Sequence, residues 1–213
     1  VPAPTQIIVV DGHPPLREGL ELLLPRYGFR VIGLASSAAE GARMIRARKP
    51  DVALVDIQVD DWSGTELAKA VRDEALATAI VLYTASITSA VIDAAASSGV
   101  RALALKTSPV AHIADAITAA AAGRNYVDPS VTRMSGRPRS HAGRRISKRE
   151  AQVLGLLARG FTTEQLAAEL FISPGTVQTH VRNATRKLEA HGRLHAVILA
   201  LIEGEIDLPA SAR

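Results

Sequence analysis

Cysteine is absent from this 213-residue chain, which excludes disulfides, thiolate metal sites and cysteine nucleophiles. Aromatic residues amount to only 3%, so a core must be assembled from alanine, valine, leucine and isoleucine. The 47% apolar content supplies enough of them. No apolar run reaches the roughly 20 residues that span a bilayer. The opening Val1-Pro2-Ala3-Pro4-Thr5-Gln6 lacks the basic-then-apolar order of a secretory leader. The expectation is a soluble cytoplasmic protein with no membrane partner, of a length that suits one or two domains. Acidic residues thin out along the chain: residues 1–130 carry 14 acidic and 12 basic side chains, residues 131–213 carry 7 and 13. Only the basic back half is suited to a polyanion.

Ile7-Ile8-Val9-Val10 is a short, continuous apolar run that ends at Asp11, as a buried strand of a parallel sheet does. Val31-Ile32-Gly33-Leu34, Val52-Ala53-Leu54-Val55, Ile80-Val81-Leu82-Tyr83 and Ala102-Leu103-Ala104-Leu105 repeat the pattern. Helical spacings lie between them. Leu16, Leu20, Leu23 and Leu24 precede Gly28; Ser37 and Glu40 form a capping-box pattern; a helix is expected from about Gly64 to Ala75; Ser108-Pro109 read as N-cap and first residue of the last one. The βα unit occurs five times, which predicts a doubly wound, five-stranded parallel α/β domain over residues 1–123. Sites in such sheets lie beyond the carboxyl ends of the strands. Asp11, Asp56, Thr84 and Lys106 fall there on four different strands.

Residues 124–146 read as a basic linker, with Asp128-Pro129 and Gly136-Arg137-Pro138-Arg139 as turn and tether signals. Residues 147–206 then predict an all-α, four-helix unit, and 207–213 a tail. Ser147-Lys148-Arg149-Glu150 is a capping box, and Val153, Leu154, Leu156 and Leu157 line one helix face. Thr162 or Thr163 caps a short helix, and Phe171-Ile172 is expected to pack the turn that follows. Ser173-Pro174 opens a third helix whose Val177, Val181, Ala184 and Leu188 make one apolar stripe. Its other side is polar. A short helix, a tight turn and a helix with a polar outer face make the helix-turn-helix pattern. That predicts double-stranded DNA as partner, met by Thr176, Gln178, Thr179, Arg182, Asn183, Arg186 and Lys187. Gln178, Thr179 and Arg182 would reach bases, and Arg186 and Lys187 phosphates. In the last helix Leu199, with Ala196 and Ala200, is expected to leave an apolar outer side suited to homodimerisation.

The chain resembles NarL/FixJ-type response regulators. The resemblance rests on Val9-Val10-Asp11-Gly12-His13-Pro14, Arg17-Glu18-Gly19-Leu20, Asp56 with Gly64 eight residues on, Thr84-Ala85 and Lys106. In the back it rests on Phe171-Ile172-Ser173-Pro174-Gly175-Thr176-Val177-Gln178-Thr179-His180-Val181, a LuxR-type helix-turn-helix signature. It implies phosphorylation of Asp56 by a sensor histidine kinase, supported by Asp11, Thr84 and Lys106, with Mg2+ held by acidic residues after the first strand. Catalysis of such transfer is mostly positioning and charge neutralisation.

Three residues depart from the family pattern: Gly12 replaces the second acid after the first strand, Asp60 a proline, and Leu103 the aromatic switch residue. Only Asp11 and Asp56 remain as metal ligands, so the expected Mg2+ site is weak and the regulator atypical. Its alternatives are a conventional kinase-driven regulator and a protein-binding antagonist. No catalytic constellation of an enzyme is present. His13, His112, His141, His180, His191 and His195 show no metal-ligand spacing and read as surface side chains. Where relatives often carry lysine, this chain has Gly175 and Gln178, which implies a different DNA target.

Overall fold

The computed structural model describes residues 3–59, 63–86, 88–130 and 145–207. The readings placed on Asp60, on residues 131–144 of the linker and on residues 208–213 of the tail lie outside the described residues.

The front elements are β1 (Thr5–Val10), α1 (Pro14–Leu23), a 3-10 turn (Leu24–Tyr27), β2 (Phe29–Ala35), α2 (Ala38–Arg48), β3 (Val52–Asp56), α3 (Gly64–Asp73), β4 (Ala79–Thr84), α4 (Ser89–Ser98), β5 (Ala102–Leu105), α5 (Val110–Ala121) and β6 (Tyr126–Val127). The strands are parallel, in the order β2-β1-β3-β4-β5-β6. Successive side chains of a strand point to opposite faces. Ile7, Val9, Leu54, Val81, Tyr83 and Ala104 therefore pack with Leu20 of α1 and with Ile113 and Ile117 of α5. Ile8, Val10, Val55 and Leu82 pack on the other face with Ile45 of α2, Leu67 of α3 and Ile92 of α4. Both faces of the sheet are buried, which is why the strands read as unbroken apolar runs.

The sheet has one strand more than expected, and it lies in the stretch read as linker. Tyr126 and Val127 pair with Ala102 and Leu103. Asp128 is fully buried: its carboxylate accepts from the Leu105 amide at 3.2 Å and the Ser130 amide at 2.8 Å. Two caps also differ from expectation. The Ser37 hydroxyl accepts from the Glu40 amide, but the Glu40 carboxylate takes the amide and hydroxyl of Ser36 rather than closing a box on Ser37. At α5 the helix starts one residue later, with Pro109 itself at the N-cap, and Ser108 bonds Ser130.

The back domain comprises α6 (Lys148–Ala158), α7 (Thr163–Glu169), α8 (Pro174–Lys187) and α9 (Arg193–Ile202). Complete capping boxes stand at Ser147/Glu150 and Thr162/Gln165, which settles the second cap on Thr162. Val153, Leu154, Leu157, Leu166, Val177, Val181, Ala184 and Leu188 are buried together, as the stripe predicts. Phe171 does not pack the turn. It sits there with φ +53° and is 95% exposed, while Ile172 packs against the core. The expected outer side of α9 is largely covered: α9 packs on α4 and β6 of the front domain as well as on α6 and α8, Ala196 and Ala200 are fully buried, and Leu199 is half-buried against the core. Among the described residues no helix is long and apolar enough to cross a membrane.

Gly64 holds β3 and α3 together at closest approach. Its amide donates to the Ile57 carbonyl at 3.0 Å, and a Cβ placed on it would stand 2.0 Å from the Asp56 carbonyl oxygen. Gly64→Ala must push α3 away from the strand end that carries Asp56. A loss of about 1–3 kcal/mol, the usual scale of overpacking, is expected in denaturant unfolding of the full chain. Unchanged stability would show that the contact relaxes without strain.

Candidate functional site

β1 and β3 are neighbours whose crossovers run to opposite sides, so their carboxyl ends flank the topological switch point of the sheet. Asp11 and Asp56 stand there side by side, 0% and 2% exposed. Two like charges this deeply buried need a cation. Lys106, from the end of β5, supplies it: its ammonium lies 2.8 Å from Asp11 Oδ2 and 2.6 Å from Asp56 Oδ2. The structure thus brings three of the four expected side chains into direct contact. Thr84 lies at the end of β4, beside them in the sheet, but its hydroxyl donates to the Ser86 carbonyl at 3.0 Å.

Tyr83 was legible only as a core residue of β4. Its ring is fully buried, its hydroxyl donates to Asp11 Oδ2, and Lys106 Nζ stands 5.0 Å from the ring centroid. The signal in the sequence was a tyrosine in a run that otherwise holds only aliphatic side chains, since a buried hydroxyl needs a partner. His13 was read as a surface side chain. Its amide and Nδ1 stand 2.7 and 2.9 Å from Asp11 Oδ1. Asp11 thus faces four donor groups, two on each oxygen. Asp56 faces two, Lys106 and the Gln58 amide at 3.1 Å.

The two carboxyls respond oppositely. Burial pushes Asp11 up, but the bonds from Lys106, Tyr83 and the His13 amide outweigh it and hold Asp11 below its ordinary value. Burial also pushes Asp56 up; Lys106 and the Gln58 amide offset this only in part, and the Asp11 charge adds to it, so Asp56 lies above its ordinary value. Burial and then the bond to Asp11 drive Tyr83 upward, so it stays a neutral donor.

The family pattern implies a Mg2+ ion here. Hard oxygen donors are present, and ligand atoms of Asp11, His13 and Asp56 lie within 4.8 Å of one another. Against that, Gly12 offers no carboxylate, both oxygens of Asp11 are already engaged, and the Lys106 ammonium occupies the gap between the acids. The residues fit a hard dication poorly. Leu103, at the switch position, is fully buried.

The second site is the outer face of α8. Ser173 caps the helix by accepting from the Thr176 amide at 3.1 Å, and Pro174 is its first residue. Thr176, Gln178, Thr179, Arg182 and Arg186 are exposed in the full chain and Asn183 is half-buried, so the front domain leaves this face open. Lys187 is exposed as well, but its ammonium is engaged, 2.8 and 3.0 Å from the Glu150 carboxylate oxygens. The capping box of α6 and the end of α8 are thereby tied together.

Residues 7–118 match the family "Response regulator receiver domain" and residues 144–200 match "Bacterial regulatory proteins, luxR family". The probable transcriptional regulatory protein NarL of Mycobacterium tuberculosis is 35% identical over 211 residues, 97% of this chain and 98% of that protein. The transcriptional regulatory protein LiaR of Bacillus subtilis is 32% identical over 92% of this chain and 96% of its own. The crystal structure of response regulator ChrA, of a heme-sensing two-component system, superposes with a TM-score of 0.54 at 29% identity, over 93% of this chain and 97% of that one. A receiver fold followed by a helix-turn-helix defines the class of DNA-binding response regulators. Within that class the chain belongs to the LuxR family of transcriptional regulators.

The opposite environments of the two acids predict opposite mutant effects. Asp56→Asn removes a carboxylate that folding makes harder to ionise. It is expected to stabilise the chain at pH 7, because the raised pKa means that ionising this carboxyl costs more in the folded state than in the unfolded one. A raised folded pKa means that the wild type regains stability as pH falls through it, so the gap closes on acidification. Asp11→Asn removes a favoured charge from four donors and is expected to destabilise by about 1–3 kcal/mol. Thermal unfolding of both variants at pH 7 and pH 4 checks the pair of signs.

Proposed function

We propose that the chain is a sequence-specific, DNA-binding transcription regulator whose receiver accepts phosphate at Asp56 only weakly. One observation carries the second half: the Lys106 ammonium bridges Asp11 and Asp56 at 2.8 and 2.6 Å, in the place where a response regulator would need a dication. Asp56 keeps the chemistry of an acceptor, because fewer of its lone pairs are engaged than those of Asp11. Thr84 and Lys106 are the hydroxyl and cation of the site, and Mg2+ is its weakened cofactor. A sensor histidine kinase is the partner class for such an acceptor, and the cytoplasm its place. An added carboxylate about 4 Å from a charge contributes on the order of 4 kcal/mol per unit charge product at an effective dielectric of 20, before desolvation. Gly12→Asp is therefore expected to raise the apparent Mg2+ affinity by at least about tenfold. The measurement is labelling by a small phosphodonor across a Mg2+ titration of wild type, Gly12→Asp and Asp56→Asn, the last expected to stay blank. Full labelling of the wild type at ordinary Mg2+ levels, unchanged by Gly12→Asp, would replace this reading with an ordinary kinase-driven switch.

For DNA, the reading unit is residues 147–206, on the receiver side of which residues 1–123 regulate. Gln178, Thr179 and Arg182 read base edges in the major groove, flanked by Thr176, Asn183 and Arg186. Their support is exposure on one outer face near the start of α8. Lys187 is reassigned to a structural pair with Glu150. A homodimer on a two-fold site matches this mode of binding; if α9 supplies its interface, α4 must first leave that helix. Arg182→Ala is expected to cost about 1–3 kcal/mol of binding and to relax preference for one base pair, as loss of a bidentate guanine contact does. Footprinting on selected sites reads both, and unchanged affinity with unchanged preference would rule out this docking.

A further inference from the structure

His191 and His195 were read as surface side chains without metal spacing. The structure places them together at the junction of the two domains and adds a third group. His195 is the third residue of α9 and buried; His191 precedes the Gly192 N-cap. Their rings lie 5.2 Å apart. Asp93, from the exposed side of α4 in the receiver, comes within 3.3 Å of His195 Nε2. One ligand atom from each of the three residues lies within 4.8 Å of the other two.

We propose that Asp93, His191 and His195 form a binding site for a borderline transition ion such as Zn2+, which ties α4 of the receiver to α9 of the DNA-binding domain. The donor set decides the class of ion: two imidazoles and one carboxylate suit zinc and its neighbours and not the hard ion Mg2+. Bonds of about 2.0–2.1 Å in a tetrahedron set ligand atoms about 3.3 Å apart. The Asp93–His195 separation already has that value, and water can complete the tetrahedron. His191 and Asp93 are both exposed, which leaves their side chains room to rotate and shorten the two edges to His191. His191 lies outside the helix, but the chain brings it back so that its ring stands beside that of His195.

One rearrangement is required. The His191 amide donates to His195 Nδ1 at 3.1 Å, which places the proton of the neutral ring on Nε2, towards Asp93. Coordination through Nε2 moves that proton to Nδ1, and the amide of His191 turns to water. No net proton is gained or lost by the ring, and burial already favours its neutral form. The hydrogen bond to Nδ1 and the direct Nε2–Asp93 contact are exchanged for coordinate bonds to the ion.

The test uses tag-free full-length protein and ZnCl2. Calorimetric titration is expected to give one ion per chain, weakened roughly tenfold or more by Asp93→Asn and by His191→Ala, the scale on which even a supporting partner alters a metal site. His13→Ala controls for the cluster around Asp11 and should leave this binding unchanged. Co2+ in place of Zn2+ should give the intense visible absorption of a tetrahedral site, lost in Asp93→Asn. Asp93 is a surface residue of α4, so that variant tests the site even if His191→Ala perturbs the fold. Absence of saturable Zn2+ binding would overturn the proposal. So would binding that survives Asp93→Asn, because the ion would then not join the domains, or binding that disappears in His13→Ala.

Discussion

Two carboxylates buried side by side beneath one ammonium are the constraint around which the receiver is arranged. Adjacency of parallel β1 and β3 forces Asp11 and Asp56 together, and the order β1-β3-β4-β5 brings Lys106 to them from the far side of β4. Such a cluster survives in a low-dielectric interior only if its geometry is held fixed. The alternating apolar faces of the strands do that, packed against α1 and α5 on one side and α2, α3 and α4 on the other. Gly64 contributes from the third direction, since only a residue without Cβ lets α3 start against the Asp56 carbonyl.

The two acids are unequal in what surrounds them. Asp11 is surrounded by donors and favoured as an anion, which makes it scaffold and counter-charge. Asp56 has fewer donors, and burial pushes its carboxyl up. A second acid at position 12 would have made the cluster more negative and more attractive to a dication. Tyr83 and His13 bring hydrogen bonds to Asp11 and no negative charge. They satisfy the buried anion from within the protein, and by doing so they lessen its need for a metal.

The strands and the helix-turn-helix could be read from the sequence because burial on two faces leaves continuous apolar runs, and caps such as Ser147/Glu150 and Ser173-Pro174 mark helix starts locally. β6 escaped because two residues carry no periodicity; only the sheet edge provided by β5 makes Tyr126 and Val127 a strand. Phe171 is apolar and was assigned to the turn's interior, yet its positive φ directs the chain so that Ile172 packs and Phe171 does not. Tyr83 and His195 share a different cause. Each is an ordinary core or surface residue by local pattern, and its polar partner comes from a distant element: Asp11 on the far side of β3, and Asp93 in the other domain. Pairings of that kind are made by topology, and no local spacing encodes them.

The same reasoning separates the two faces of the back domain. The stripe Val177, Val181, Ala184 and Leu188 turns α8 inward, so its polar face is open whether or not the receiver is docked. The helix α9, by contrast, lies against α4 of the receiver. The receiver is therefore in contact with α9, while it leaves the outer face of α8 open. Thr84 ends β4, its hydroxyl is bonded to the Ser86 carbonyl, and α4 begins at Ser89. Any rotation that aims the Thr84 hydroxyl at Asp56 must release Ser86, in the segment that leads into the helix lying on α9. The strand end that carries Thr84 is thus joined to the helix lying on α9 through one short connection, while the outer face of α8 lies apart from it.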